Sequence, residues 1–335
     1  MKKILFLGYY IKETPRGKFL KFLDVATKAS GRSKWDILRD VIGASIKHNI
    51  SVLDYFYFRF YEKNESERQK WAGTGYMYEY QLKMNPKVSR DVLEDKRIFL
   101  DKYHDFVLHK FVTLEQIENS NSDFHAIMNN QSGKIVFKDA LGQCGFGIEI
   151  TNAKDWTKET LVQHMKAKKF NLLESFVQQA DELQELSPSG LNTVRVFTQI
   201  TESNEVVFLG CRLRISVNSQ VDNMASGNMA AVVDFHSGTV VSNGIYSDIS
   251  KSDSEFHPIT GIQIKGFVVP FWKETVEMIT KAALLDIRNR SVGWDVAITS
   301  QGPELIEGNH NWCKLLWQLP EKKGLKHLIA PYNHV

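Results

Sequence analysis

Residues 293–312 read GWDVAITSQGPELIEGNHNW, and their alternation decides how the rest of the chain is organised. Residues 294–299 are apolar and β-branched enough for a buried strand. Ser300-Gln301-Gly302-Pro303 is turn chemistry, and 304–309 resumes an extended pattern. With a three-residue loop Ser300-Gln301-Gly302, Gly302 taking the left-handed position, Thr299 faces Pro303 and Asp295 faces Glu307. Pro303 has no N–H to help close so tight a loop, so a longer turn that shifts the register by one stays open. In either register a period of two puts Leu305, Glu307 and Asn309 on one face. Two carboxylates that close raise each other's pKa unless a cation lies between them. Asp295, Glu307 and Asn309 are therefore candidate ligands for Mg²⁺, which takes one or two carboxylates and fills its shell from phosphates and water. The alternative is a solvent-facing hairpin with ordinary surface acids.

Around this hairpin lies an ordinary globular composition. The 335 residues suffice for two or three compact units, and 43% hydrophobic with 24% charged residues argues against large-scale disorder. Forty-two basic against 39 acidic residues leave a net charge of +3, too even for a nucleic-acid surface, so no nucleic-acid partner is expected. Cys144, Cys211 and Cys313 are odd in number and far apart, which indicates neither a disulfide framework nor a zinc site and fits a reducing cytoplasm. The opening MKKILFLGYYIK reads as a buried first strand; its apolar run ends at Lys12 with no small-residue cleavage site behind it. No stretch approaches the roughly 20 apolar residues of a membrane helix, so a soluble protein is expected.

Residues 1–90 are rich in aromatic and basic residues and read as a mainly helical region, with helices over 17–29, 34–48 and 62–71. Within it, residues 54–61 place six aromatics in eight positions, a pattern of core. Arg59 with Lys12, Lys18 and Lys21 could dock a membrane surface carrying lipid-linked substrate, although no clear amphipathic basic helix forms there.

From about residue 92 strands and helices alternate. Asp95-Lys96 opens a short helix, 106–111 is extended and 113–120 helical. Strand 134–140 carries Lys138 and runs into LGQCGFG (141–147) and a second strand at 148–151. Gly142, Gly145 and Gly147 free backbone N–H groups to approach an anion, so a flap over phosphates is the functional reading and a tight turn the bland one. The loop lacks a terminal Gly-Lys-Ser/Thr and is followed by strand, which excludes the Walker and dinucleotide fingerprints. Residues 170–177 read as a strand ending near Glu174, with an edge backbone suited to an adenine. Strands 191–200 and 206–215 form a hairpin whose Arg212 and Arg214 share a face, either meeting anions or solvated. The loop 222–228 is dense in small and amide residues and can present donors to a substrate. A helix over 270–289 leads back to the metal hairpin.

This order of motifs, KDALGQCGFGIEI, LNTVRVFT, VDNMASGN and GWDVAIT with GPELIEGN, resembles the ATP-grasp superfamily, and most its sugar-transfer-associated branch, over residues 91–320. The resemblance implies an α+β ATP-grasp fold of two subdomains gripping ATP (91–173 with the flap, 174–335 with the metal site), preceded by the helical region 1–90. It implies that Lys96 and Lys138 contact ATP phosphates under the flap Gly142–Gly147, and that Glu174 and Phe176 hold adenine through backbone groups. Arg195, Arg212 and Arg214 stand where related ligases place basic groups against the γ-phosphate and acyl phosphate. Asn223 matches the Asn before a glycine pair whose second member is here Asn228. Asp295, Glu307 and Asn309 match the Mg²⁺ triad.

The implied activity is an ATP-dependent carboxylate–amine ligase working through an acyl phosphate, with a sugar-linked carboxylate and an amino acid or amine as small-molecule substrates. A phosphotransferase on the same fold, or a nucleotide-binding accessory protein of glycan assembly, are the competing readings. Against the last, a binding-only relic has no need to keep two adjacent acids beside phosphate. The specificity pocket is expected between the N-terminal region and the 222–228 loop, and His310 reads as a structural hydrogen-bonding residue.

Overall fold

Alternating apolar runs build two antiparallel sheets. The computed structural model describes residues 2–119, 122–142, 147–219 and 222–334, the side chains of 2–7, 122 and 334 excepted. Among these, the strands are β1 Phe111–Thr113, β2 Lys134–Lys138, β3 Ile148–Asn152, β4 Leu172–Ser175, β5 Thr193–Ile200, β6 Val206–Ile215, β7 Met229–Val233, β8 Ile245–Tyr246, β9 Ser291–Thr299 and β10 Gly302–Asn309. The smaller sheet runs β1-β4-β2-β3 and the larger β10-β9-β5-β6-β7-β8. The small sheet buries Ile135, Phe137 and Leu173 against Ile117, Phe124, Ile127, Leu161 and Met165 of its helices. One face of the large sheet packs on helix Trp272–Leu285 through Met278, Ile279, Ala282 and Ala283. Its other face is covered by helix Thr74–Met84 and the C-terminal Trp312, Leu316 and Trp317. The fold is the expected α+β arrangement with a helical N-terminal region.

That region is specified by local chemistry. Ser33 caps helix Lys34–His48 by accepting the Asp36 N–H, and Asn49, at φ 54°, ends it. Ser51 and Asp54 form a capping box on helix Val52–Tyr57. The aromatic run is core, as its composition suggested: Tyr55, Phe56, Phe58, Phe60 and Tyr61 are buried with Phe22, Ile37 and Trp71. Two local expectations are corrected. The opening segment is a helix, Lys2–Glu13, which packs against helices Lys34–His48 and Val52–Tyr57 and joins neither sheet. The expected helix 62–71 is only Glu65–Arg68, since Asn64 caps a fresh start after the turn Phe60–Glu62. Likewise, of the extended segment expected at 106–111 only Phe111 enters a strand; His104–Phe106 is a 3₁₀ turn.

The N-terminal region is clasped to the C-terminal end of the chain. The Gln318 side chain accepts the Ala72 N–H at 2.9 Å and donates to the Ala72 carbonyl at 3.0 Å, as a strand neighbour would. Lys326 N–H donates to the Lys70 carbonyl at 3.0 Å, and Lys314 reaches the buried Asp54 at 3.1 Å.

Asp40 ties the helical region together. It accepts two parallel bonds from Arg68 at 2.7 Å, one from Arg32 at 2.8 Å and one from the Tyr55 hydroxyl at 2.8 Å. Burial alone would raise the Asp40 carboxyl, but the Arg68, Arg32 and Tyr55 donors outweigh it and bring it from 3.8 to about 2. The stabilisation is therefore complete above pH 3.8 and is lost as pH falls toward 2. Asp40→Asn should cost roughly 2 kcal/mol at neutral pH, the buried-pair value discounted for partial exposure. Urea titrations should show that deficit shrinking to nothing as pH approaches the folded value.

Candidate active site

Strand alternation puts charge on one face. Val194 and Val196 on β5, Cys211, Leu213 and Ile215 on β6, and Trp294, Val296 and Ile298 on β9 are all buried toward helix Trp272–Leu285. The residues between them, Arg195, Arg212, Arg214 and Asp295, therefore face the other way. Cross-strand pairing aligns Arg212, Arg195, Asp295 and Glu307 in a single row across four strands.

The hairpin reaches this register by a route the sequence did not reveal. Thr299 pairs with Gly302, so the loop is the two residues Ser300 and Gln301, one fewer than expected. A bulge between Leu305 and Glu307 adds the residue back, and Glu307 still faces Asp295. The bulge corrects the expected face of Leu305. That residue pairs with Val296 and is buried in the core, while Glu307 and Asn309 lie on the opposite face with Glu304, the partner of Ala297. Gly293 is required here: a Cβ would stand 2.7 Å from the Trp312 Cβ and 3.2 Å from the Arg195 Cδ.

Asp295 is buried and binds two guanidiniums. Arg195 donates to it through Nε and, at 2.6 Å, through Nη2; Arg214 donates at 2.7 Å. Arg214 also pairs with Asp222 at 2.6 Å, which in turn accepts the Thr193 N–H at 3.0 Å and hydroxyl at 2.5 Å. Burial opposes ionisation of Asp295, yet the two arginines hold its carboxyl well below the usual range. Glu307 shifts the other way, raised by burial and then by the neighbouring Asp295 charge. Asn309 donates to Glu307 at 3.1 Å and steadies it. Arg212 turns aside: its guanidinium donates to the carbonyls of Trp317 and Cys211 and pairs with Glu321 at 3.1 Å.

The small sheet brings a second charged group. Lys138 on β2 pairs with Glu174 on β4. His109, between the sheets, lies 3.5 Å from Glu174 by Nε2 and 2.7 Å from Glu304 by Nδ1. Glu304 also accepts the N–H groups of Leu108 at 2.9 Å and His109 at 3.0 Å. Burial works against the charge of both acids, but Lys138 lowers Glu174 and His109 lowers Glu304. His109 thus stands between the β9–β10 hairpin and the Lys138–Glu174 pair, hydrogen-bonded to Glu304 while its buried Nε2 has no hydrogen-bond partner among the described residues. Lys96 starts the helix Lys96–Lys102, capped by Asp95, and its ammonium donates to the Gly142 carbonyl. Gly147, at φ 73°, accepts the Asp139 N–H at 3.0 Å, joining the chain just after β2 to the residue before β3. Gly145 lies outside the described residues. The open edge expected at Glu174 is absent, because β4 is an inner strand paired on both sides. Phe176, just beyond it, donates its N–H to the Lys134 carbonyl at 3.3 Å and lies under the Lys134 ammonium.

A cavity of about 340 Å³ opens over the charged face. Lys96, Gly142, Arg195, Arg214, Asn223, Glu307 and Asn309 line it, together with Lys18 and Tyr57 from the helical region. Asp295 is buried and Arg212 is turned to the C-terminal segment; Lys138, Glu174, Phe176 and Gly147 belong to the small sheet and its flap. The wall formed by Lys18, Tyr57, Asn223, Met224 and Ala225 lies where the specificity pocket was expected. His310 sits at its rim, 3.1 Å from Glu94. Asp222, His109 and Glu304 were missed. Glu304 carried a signal only once the bulge is known, since plain alternation puts it on the face opposite Glu307.

The donor set suits a hard cation. Among the described residues no group of three His, Cys, Asp or Glu side chains could hold a metal alone. Glu307 with Asn309, backed by Asp295, is an incomplete oxygen set of the kind Mg²⁺ completes with phosphate and water. No described helix is long and apolar enough to cross a membrane.

Comparison with known proteins identifies the family. Residues 76–333 match the family described as sugar-transfer associated ATP-grasp. No match was found among curated proteins. Among solved structures the chain is similar to the ATP-grasp ligase PsnB complexed with precursor peptide PsnA2 and AMPPNP, with 14% identity, 68% of this chain and 53% of that chain covered, and a TM-score of 0.37. It is also similar to D-cycloserine synthetase DcsG (10% identity, 74% and 73% covered, TM-score 0.42). A third likeness is D-alanyl-alanine synthetase A from Vibrio cholerae O1 biovar eltor (13% identity, 72% and 62% covered, TM-score 0.40). The chain spans 52% to 62% of the length of the PsnB structures it matches. Likenesses this distant say nothing about the site, whereas the family match covers most of the chain. The chain belongs to the sugar-transfer associated ATP-grasp family.

Proposed function

We propose that this chain is an ATP-dependent carboxylate–amine ligase that joins an amino acid or amine to a sugar-linked carboxylate, with residues 91–173 closing on 174–335 around ATP. The observation that carries the reading is the single cavity lined by Lys96, Gly142, Arg195, Arg214, Asn223, Glu307 and Asn309. It combines cations for phosphate, hard donors for a metal and an amide-rich wall for a second substrate.

In this reading Lys96 and Lys138 bind ATP phosphates beneath the 141–147 flap, and the chain just beyond β4, at Phe176, holds the base. Glu307 and Asn309, with Asp295 behind them, hold Mg²⁺, which supplies charge neutralisation for the transferring phosphoryl group. A carboxylate oxygen of the substrate attacks the γ-phosphorus as the bond to ADP breaks, giving an acyl phosphate. The amine then attacks the acyl carbon, loses a proton, and inorganic phosphate leaves. Arg195 and Arg214 orient the anionic groups in both steps, and Asn223 donates to the acyl oxygen. Asp222 and Asp295 hold the two arginines in position. Arg212 acts through the fold, by anchoring the Trp317 carbonyl.

Phosphorus NMR with Mg-ATP and a pool of uronic acids and amino acids tests the reaction. ADP and phosphate should form only when acid and amine are both present. A new phosphorylated sugar would instead identify a phosphotransferase. Glu307→Ala should remove roughly 3 kcal/mol or more of transition-state stabilisation, a loss of turnover of at least about a hundredfold, with circular dichroism unchanged. Arg212→Met should behave in the opposite sense, losing roughly 3 kcal/mol in a denaturant titration while the KM for ATP of the folded protein stays put.

A further inference from the structure

Residues 1–75 lie outside the family match, yet they wall the site. The cavity over Glu307 shares Lys18, Met224, Ala225 and Ser247 with a second cavity of about 280 Å³. That one shares Tyr246, Asp248 and Lys251 with a third, of about 820 Å³, and Tyr57 lines both the third and the first. The three form one groove that leaves the site along the seam between the helical region and the segment 245–253.

Its lining repeats one device. Lys18 lies over the rings of Phe22 and Tyr57 at 5.6 and 5.2 Å, Lys63 over Trp71 at 5.8 Å, and Lys251 over Tyr246 at 4.5 Å. None of these three ammonium groups has a carboxylate partner among the described residues, whereas Lys21 in the same groove pairs with Asp248 at 2.6 Å. A cation held only by a ring quadrupole on a wet surface gains little, so each ammonium is free to meet an anion, while Tyr57 and Tyr246, half-buried where Phe22 and Trp71 are core, offer their ring edges to an apolar surface. Successive lysine–aromatic pairs suit a ligand whose anions and apolar ring faces also recur. A nucleic-acid strand would instead need open ring faces for its bases to stack on, and the lysines cover these.

We propose that this groove binds an extended acidic oligosaccharide, a chain of sugars bearing repeated carboxylates, and leads one of those carboxylates into the cavity beside Glu307 and Arg214. The inference rests on the ligase reading above and narrows its acceptor from a free sugar acid to a polymer. A monomer would touch only the first cavity, whereas Lys63 and Lys251 lie in the parts beyond it.

The test is isothermal titration of the full chain with polygalacturonate fragments, galacturonic acid, a neutral maltooligosaccharide of matched length, and inorganic polyphosphate, with Mg-ATP binding measured in parallel. Polygalacturonate should bind, and more tightly than the monomer, the neutral chain or polyphosphate. Lys63→Gln and Lys251→Gln should each weaken its Kd by about two- to fivefold, and moderate salt should erase the difference. Both residues are at the surface, and an unchanged melting temperature controls for folding. Equal binding of the monomer or of the neutral chain overturns the proposal, as does a Kd indifferent to both substitutions. Equal binding of polyphosphate reduces the groove to a non-specific polyanion surface and overturns the sugar assignment. Loss of Mg-ATP binding by the wild-type chain would sink the ligase reading itself, whereas ATP binding without polygalacturonate binding sinks only the groove.

Discussion

The buried contact of Asp295 with Arg195 and Arg214 is the constraint around which the large sheet is arranged. An unpaired carboxylate at that depth is not tolerable, so three strands must keep one register for the charges to meet. The same contact leaves Glu307 the more exposed acid of the facing pair. Two acids at one level of a sheet thereby acquire different work: Asp295 orders the guanidiniums, and Glu307 is turned to the cavity. The core behind the sheet follows from the charge in front, because Val194, Val196, Leu213, Trp294 and Val296, all buried, each adjoin Arg195, Arg212, Arg214 or Asp295 along the strand.

Between the sheets, Glu304, His109, Glu174 and Lys138 form a polar line with little freedom to rearrange independently. Glu304 accepts two backbone N–H groups just before β1, so the segment entering the small sheet is fixed to the hairpin of the large one.

Much of this was legible in the sequence, for identifiable reasons. The strand pair 193–200 and 206–215 declares itself by alternation and a polar turn, and β6 spans the residues expected. The facing of Asp295 and Glu307 was readable although the assumed loop was one residue too long, because the bulge at Ile306 compensates. No residue there marks a bulge, so the burial of Leu305 and the placing of Glu304 were not readable. The opening helix failed for a different reason: a short apolar run fits either a strand or a buried helix, and only its tertiary partners, here two helices, decide. Arg212 and Arg214 share a face as their spacing requires, but spacing is blind to the Trp317 carbonyl that takes one of them away.

The clasp between Gln318 and Ala72 bears on how the chain can be divided. The family match begins at residue 76, which invites expression of the matched part alone. Such a fragment would take the two Ala72 bonds from the Gln318 amide, leaving it the Leu325 N–H and the Lys314 carbonyl, would uncover Ile245 and Leu319 by removing the aromatic core that packs on them, and would deprive Lys314 of Asp54. Each hydrogen bond lost in this way removes about 1 kcal/mol, and the uncovered apolar surface adds to that loss. The helical segment is in this sense a covalently attached subunit, and excising it would expose an interface instead of freeing a module.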